Sequence, residues 1–140
     1  MKLLLPVDGS DTSLHAVTHV LAAIAQYKAP PELYLLNVQP PLSGGVTMFI
    51  RGEQVKQFHQ EEGAKALAAA RSKLDTAKVA YRLEIKVGEP GETIAGYAKE
   101  IGADEICMGT RGLAHVTGML LGSVATKVIH LVDIPVLLVK

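Results

Sequence analysis

Five short apolar segments alternate along the chain with four segments of helical periodicity, and this alternation constrains the fold most strongly. The apolar segments are KLLLPV (2–7), ELYLLNV (32–38), AYRLEIKV (80–87), EICM (105–108) and PVLLV (135–139). The segments between them, at 13–28, 52–74, 93–101 and 119–132, place apolar side chains on one face of a helix. Strict β-α alternation predicts a single α/β domain: a doubly wound, five-stranded parallel sheet with helices on both faces.

Two of the predicted strands have the character of sheet edges. AYRLEIKV alternates apolar with charged side chains, which suits a strand with one face in water. PVLLV is apolar on both faces, and at the opposite edge it would expose apolar side chains and unpaired backbone groups. A second copy of the chain is the simplest cover for that edge. The sequence therefore predicts a homodimer through the segment Pro135–Val139.

Composition and charge exclude several classes of function. A chain of 140 residues suits one domain, and a hydrophobic fraction of 49% argues against disorder. The 14 basic residues balance 14 acidic ones without forming a basic cluster, and aromatic residues make up only 4%, so we expect no nucleic-acid partner. The opening MKLLLPVDGS has too few apolar residues for a secretory signal, and no run is long enough to span a bilayer. We therefore expect a cytoplasmic protein without membrane insertion.

Ligands of open α/β sheets bind beyond the carboxyl ends of the strands, where two segments carry candidate chemistry. Asp8 follows the first strand, and a carboxylate there can reach a ribose hydroxyl or a metal that bridges phosphates. Behind it, Ser10 or Asp11 is predicted to cap the next helix. The other candidate is MGTRGLAHVTGMLLGS, residues 108–123, which we call the glycine segment. Its glycines allow backbone N–H groups to approach an anion, although the spacing equally suits a flexible loop with a serine N-cap.

Other features are predicted to be structural. GEPGET (88–93) favours a turn, after which Glu92 or Thr93 begins a helix, and QPPLSGGVTMFI (39–50) favours a loop. His15 and His19 favour a surface pair over half of a zinc site, and Cys107 favours a buried core position. The chain contains neither G-x-x-x-x-G-K-[ST] nor G-x-S-x-G, which excludes a Walker-type phosphate loop and a hydrolase nucleophile elbow.

The whole chain resembles the universal stress protein family, through LLLPVDGS, LLNV, VGEPGETI, ICMGTRG and IPVLLVK. The most specific element is the family's nucleotide motif, G-x2-G-x9-G-[ST], which Gly109, Gly112, Gly122 and Ser123 match at every spacing. The resemblance implies the ATP-binding branch of that family. It also implies the strand order 3-2-1-4-5 with two helices on each face, and dimerisation through the final strand.

The resemblance further implies which residues would contact a bound adenine nucleotide, whether ATP, ADP or AMP. Pro6 and Asp8 would flank the ribose and the adenine, and the backbone of Val38 would pair with the adenine edge. Gly109, after Met108, would meet the ribose. The phosphates would be wrapped by Thr110, Arg111, Gly112, Leu113, Ala114 and His115. The end of the phosphate chain, with Mg²⁺ or Mn²⁺ as a candidate companion, would be covered by Gly122, Ser123 and Val124.

Three functions are compatible with these features. The first is a dimeric sensor or regulator, in which nucleotide occupancy biases the dimer or a regulatory protein partner. A complete phosphate loop without an adjacent catalytic base favours this function. The second is a slow ATPase or self-phosphorylating enzyme, for which Asp8 or His115 would have to act as base and Arg111 would have to neutralise charge. The third is an interaction module whose nucleotide site is unused.

Overall fold

The computed structural model describes residues 1–113, 117–118 and 120–140. The elements follow the chain in the order β1 Lys2–Pro6, α1 Asp11–Ile24, β2 Glu32–Gln39, α2 Gly44–Thr47, α3 Gly52–Thr76, β3 Tyr81–Val87, α4 Pro90–Ile101, β4 Glu105–Gly109, α5 Ser123–Leu131 and β5 Val136–Val139. The strands form one parallel sheet in the order β3-β2-β1-β4-β5. The predicted fold class and strand order are confirmed.

Side chains that alternate along the central strands divide the core between the two faces of the sheet. On β1, Leu3 and Leu5 face one side and Leu4 the other. The first face packs against α1 and α3, and the second against α4 and α5, so each face carries two long helices as predicted. The first core includes Val17, Val20, Leu33, Leu35, Leu67, Leu74 and Cys107, and the second includes Leu36, Ile94, Tyr97, Ile106, Met108 and Val128.

The lone cysteine lies in the first of these cores. Cys107 is fully buried, which confirms its predicted core position. Burial, with a smaller contribution from the negative charge of Glu105, raises the pKa of the Cys107 thiol to about 12. The side chain therefore acts as a small apolar group at neutral pH.

The two edges of the sheet differ in charge. At the β3 edge, Arg82 lies 3.8 Å from Glu32, and Lys86 lies 3.1 Å from Glu100. The four residues of β5, VLLV, carry no charge, and Leu137 is exposed among half-buried neighbours. The expected edge positions of both strands are confirmed. Because charged side chains discourage edge-to-edge pairing, β5 is the less protected of the two edges.

The first long helix ends earlier than the sequence pattern predicts. α1 stops at Ile24 rather than Lys28, and the chain continues as a tighter turn in which the N–H groups of Gln26 and Tyr27 donate to the carbonyls of Ala23 and Ile24. The prolines at 30 and 31 disfavour helical backbone at the residues directly before them, so the helix does not resume before β2.

Further differences from the prediction concern α2 and the starts of α4 and α5. The predicted loop 39–50 contains the single helical turn α2. The helix predicted to begin at Glu92 or Thr93 begins at Pro90, because the Glu89 carboxylate caps it and proline suits the first helical position. The last helix begins at Ser123, and Met119, where it was predicted to begin, lies outside the described residues. Within the described ranges, no helix is both long and apolar enough to cross a membrane.

Candidate functional site

A cavity of about 700 Å³ lies at the carboxyl edge of the sheet, within the size range of small-molecule sites. The ends of β1, β2 and β4, the starts of α4 and α5, and the middle of α3 form its walls. Every predicted site residue that the structure describes lines this cavity. These residues are Pro6, Asp8, Val38, Met108, Gly109, Thr110, Arg111, Gly112, Leu113, Gly122, Ser123 and Val124. The two remaining predicted residues, Ala114 and His115, lie outside the described residues.

The Asp8 carboxylate joins the loop after β1 to the glycine segment. Its Oδ1 accepts a hydrogen bond from the Ser10 N–H at 2.9 Å, and its Oδ2 accepts one from the Leu113 N–H at 3.2 Å. Ser10 in turn caps α1, because its hydroxyl oxygen accepts from the Ser13 N–H at 3.3 Å. The capping role predicted for Ser10 is confirmed, and Asp11 is instead the first residue of the helix.

Two motif glycines are required where the backbone of the glycine segment approaches its neighbours. A Cβ atom on Gly112 would lie 2.6 Å from Asp8 Oδ2, and one on Gly109 would lie 2.7 Å from Thr12 Oγ1. The Thr12 hydroxyl itself donates to the Arg111 carbonyl. The first turn of α1 and the end of β1 therefore hold the start of the glycine segment in place.

No side chain of the described residues caps the helix that begins at the end of the glycine segment. Gly122 is the N-cap of α5, and its N–H donates to the Thr110 carbonyl at 2.7 Å. Helices α1 and α4, by contrast, are capped by Ser10 and Glu89. The first N–H groups of α5 have no helical acceptor, and Ser123 at its start lines the cavity. This wall consequently attracts an anion.

Thr110 provides an unsatisfied polar group in the cavity wall. The residue is only 7% exposed, and its Oγ1 has no hydrogen-bond partner among the residues that the structure describes. A buried hydroxyl without a partner costs roughly 1–3 kcal/mol relative to a paired one. A ligand oxygen or nitrogen at this position would satisfy the hydroxyl.

The cavity continues from this polar wall into an apolar region between the sheet and α4. Pro6, Leu36, Val38, Ile94 and Met108 supply its surface, which suits a flat, weakly polar ring system.

The polar end of β2 was not recognised as part of the site from the sequence. The Asn37 amide is buried and donates to the Val7 carbonyl at 2.8 Å, and the Gln39 amide donates to Asn37 Oδ1 at 2.8 Å. Both residues line the cavity. An asparagine within the apolar run LYLLNV is the sequence signal that could have identified this end of β2.

Helix α3 supplies a second wall that sequence analysis missed. Glu62, Lys65 and Ala66 line the cavity, and the ammonium of Lys65 lies 2.9 Å from the Glu62 carboxylate. The helical pattern of 52–74 identifies which side chains of α3 are buried. It does not show which part of the protein the residues beside that buried face approach, so the sequence gives no signal for this wall.

The two neighbouring histidines of α1 are separate from the cavity. His15 and His19 are exposed on α1, in agreement with the predicted surface pair, and His15 Nδ1 lies 2.9 Å from the Lys140 carbonyl oxygen. Among the residues that the structure describes, no three His, Cys, Asp or Glu side chains converge to hold a metal ion.

Comparison with known proteins identifies the family. The family model for the Universal stress protein family matches residues 1–140. The chain belongs to the universal stress protein family. Among its relatives, universal stress protein MJ0531 of Methanocaldococcus jannaschii is 34% identical over 140 residues, which cover 99% of this chain and 81% of that protein.

Solved structures of universal stress proteins share the fold. The structure of MJ0577 of Methanocaldococcus jannaschii has a TM-score of 0.84 and 32% identity, and the match covers 99% of this chain and 94% of the other. A universal stress protein crystallised in complex with cAMP has a TM-score of 0.72 and 27% identity, with coverage of 100% and 97%. The family resemblance carried by the sequence motifs is therefore confirmed.

Proposed function

We propose that this universal stress protein binds an adenine nucleotide in the cavity at the carboxyl edge of the sheet. The observation that carries the proposal is the convergence of the motif glycines Gly109, Gly112 and Gly122 on one cavity, beside Asp8. A relative of 27% identity was crystallised in complex with cAMP, which supports the adenine nucleotide class. The ligand is ATP, ADP or AMP.

The chemistry of the walls orients the nucleotide. The adenine packs against the apolar region around Val38 and Met108, where a flat ring replaces water at little cost. The phosphates extend to the uncapped start of α5 at Ser123. The ribose then lies between these ends, against Asp8 and Gly109.

Mg²⁺ or Mn²⁺ would accompany the phosphates and not occupy a separate protein site. Both ions are hard cations that accept phosphate oxygens and water as ligands. The absence of a converging set of His, Cys, Asp or Glu side chains among residues 1–113, 117–118 and 120–140 supports this arrangement. The ion would help to neutralise the phosphates at the mouth of the cavity.

A regulatory role fits the site better than a catalytic one. Both carboxylate oxygens of Asp8 hold backbone N–H groups, which favours a positioning role for this side chain over proton transfer. The same bond to Leu113 connects the cavity to the glycine segment, so a bound nucleotide could alter the conformation of that segment. We propose that occupancy acts as a signal in the stress response.

The regulator acts as a homodimer through Pro135–Val139. The edge strand β5 carries no charged side chain, and its Leu137 is 38% exposed. Pairing two β5 strands would cover this side chain and satisfy the backbone groups of the edge. The charged β3 edge offers a poorer surface for such pairing.

Isothermal titration calorimetry with ATP, AMP and GTP, followed by a phosphate-release assay, tests the proposal. We expect saturable binding of ATP and AMP, weaker binding of GTP, and no phosphate release over hours. Absence of binding at millimolar ATP and AMP would overturn the nucleotide site. Steady phosphate release that stops in Asp8→Ala would instead establish the ATPase alternative.

A further inference from the structure

The nucleotide motif accounts for one side of the cavity, whereas the α3 wall of Glu62, Lys65 and Ala66 lies outside it. Helix α3 packs against the loop after β1, since a Cβ atom on Gly9 would lie only 3.4 Å from the Ala66 Cα. Asp8, the residue before Gly9, is bonded to the glycine segment. The loop after β1 therefore connects the α3 wall with the glycine segment.

Lys65 brings a positive charge to this wall. A hydrogen bond and charge attraction from Glu62 raise the pKa of Lys65, so its ammonium is charged at neutral pH. The Lys65 side chain is 73% exposed, and its pairing with Glu62 spans only one helical turn. Exposed pairs of this kind contribute little to stability. An anionic ligand can therefore take the place of the Glu62 carboxylate.

The orientation of the nucleotide decides which part of it Lys65 meets. In the proposed function, on which this inference rests, the 5′-phosphates extend to α5 and the ribose lies against Asp8 and Gly109. Helix α3 packs on the opposite face of the sheet from α5, and it approaches Gly9, the residue after Asp8. In this pose the 5′-phosphates leave the ribose towards α5, so the edge of the ribose that carries the hydroxyls is turned towards the α3 wall.

We propose that Lys65 forms a second anion subsite that recognises a phosphate on the 3′-oxygen of a bound adenine nucleotide. The ligand class is an adenosine nucleotide that carries phosphate at both the 5′ and the 3′ positions. Glu62 holds the ammonium at the cavity wall until the ligand arrives. The negative charge of Glu62 repels the 3′-phosphate, so Glu62 reduces the preference for the bisphosphate over AMP that Lys65 creates.

The test compares AMP with adenosine 3′,5′-bisphosphate by calorimetry at low salt, using the wild-type chain and single variants. The wild type should bind the bisphosphate about three- to tenfold more tightly than AMP, as a partly screened ion pair allows. Lys65→Gln should abolish this preference, because the loss of affinity for the bisphosphate should exceed any loss of affinity for AMP. Glu62→Gln should increase the preference. Lys73→Gln is the matched control, because Lys73 lies on the same helix about two turns away from the cavity wall.

Three results would overturn the inference while AMP binding upholds the proposed function. In the first, the wild type binds the two ligands with equal affinity. In the second, Lys65→Gln still binds the bisphosphate more tightly than AMP. In the third, Lys65→Gln lowers the affinity for AMP and for the bisphosphate by the same factor. If the wild type binds neither ligand at millimolar concentration, the adenine nucleotide site itself is wrong, and the Lys65 subsite falls with it.

Discussion

The Asp8 carboxylate accepts a hydrogen bond from the Leu113 N–H at 3.2 Å, across a separation of 105 positions in the sequence. The same carboxylate accepts from the Ser10 N–H, so one short side chain fixes both the start of α1 and the glycine segment. A Cβ atom on Gly112 would lie 2.6 Å from Oδ2 of this carboxylate, so a side chain there would displace it from its present position. The geometry of the proposed phosphate site therefore depends on Asp8 and Gly112 together.

The first prediction concerns that close approach. In Gly112→Ala, the new methyl group would lie 2.6 Å from Asp8 Oδ2 and would force the carboxylate away from Leu113. We expect ATP affinity to fall about tenfold and the free energy of unfolding to fall by about 1 kcal/mol. Gly96→Ala is the control, because a Cβ atom there meets nothing within 4 Å and helix propensity should raise stability by roughly 0.5–1 kcal/mol. Calorimetry and chemical denaturation measure both effects. Equal ATP affinity in the two variants would show that the contact with Asp8 does not shape the site.

A second prediction concerns the cap of α4 and its dependence on pH. The Glu89 carboxylate accepts from the Glu92 N–H at 2.7 Å and from the Gly91 N–H at 3.2 Å, and these bonds lower the pKa of Glu89. The folded state favours the ionised form of Glu89. The stabilisation that the ionised cap provides is therefore present at pH values above the ordinary pKa of 4.5, and it is lost as the pH falls through the lower pKa of the folded state.

Glu89→Ala should therefore reduce the free energy of unfolding by about 1 kcal/mol at neutral pH. The difference from the wild type should shrink as the pH falls below 4.5. Urea denaturation of both proteins across this range provides the measurement. A difference that stays constant with pH would mean that the cap acts without its charge.

A third prediction concerns the buried thiol. Unfolding exposes Cys107, which then ionises near its ordinary pKa of 9.0, whereas the folded thiol has a pKa of about 12. The folded state thus binds its proton more tightly, and stability falls as pH rises from 9.0 towards 12, by at most about 1.4 kcal/mol per pH unit.

The variant Cys107→Ala lacks this pH dependence. It should be less stable than the wild type by about 1 kcal/mol at pH 7, because it leaves a small cavity. At about 1.4 kcal/mol per pH unit, this gap should close within about one pH unit above 9.0 and then reverse in favour of the variant as the pH approaches 12, as measured by denaturant titration against pH. A gap that is independent of pH would show that Cys107 is accessible to solvent in the folded protein.

A fourth prediction separates the two sheet edges. Leu137 on β5 and Leu83 on β3 are both 38% exposed, so a lysine at either position has a similar cost within the monomer. Leu137→Lys should convert a dimer of 14.9 kDa chains to monomers at micromolar concentration, whereas Leu83→Lys should leave the dimer intact. Light scattering after size-exclusion chromatography distinguishes the two masses. A monomeric wild type, or dissociation by Leu83→Lys alone, would contradict pairing through β5.

The fold was predictable because the signals for it are local. Runs such as KLLLPV place apolar side chains on both faces of a strand, and their alternation with helical segments specifies a parallel sheet. Helix ends were less predictable because they depend on individual contacts, as the Glu89 cap ahead of Pro90 shows. Sequence spacing equally gave no reason to expect a helical turn at Gly44–Thr47.

The candidate site was predictable only in part, for a related reason. The glycine spacing from Gly109 to Gly122 is a short-range pattern, and it identified one wall of the cavity. The bond between Asp8 and Leu113 and the position of Lys65 result from tertiary packing between distant segments. Periodicity does not encode those contacts, so they become visible only in the folded chain.

Adenine nucleotide binding across the start of α5 is the central claim, and Ser123→Glu tests it most directly. The carboxylate at the first residue of α5 would interact favourably with the helix dipole and would repel a nucleotide phosphate. Thr126→Glu adds the same charge on the exposed side of α5, outside the cavity lining. It also removes the hydrogen bond that the Thr126 hydroxyl donates to the Gly122 carbonyl at 2.9 Å, and Thr126→Val, which removes that bond without adding charge, accounts for this loss.

The decisive measurement is a calorimetric titration of ATP into the wild type, Ser123→Glu and Thr126→Glu, with the melting temperature of each protein. We predict saturable binding to the wild type and to Thr126→Glu, and an affinity for Ser123→Glu that is at least about tenfold weaker without a lower melting temperature. Equal ATP affinity in all three proteins, or no binding to the wild type at millimolar ATP, would contradict the account.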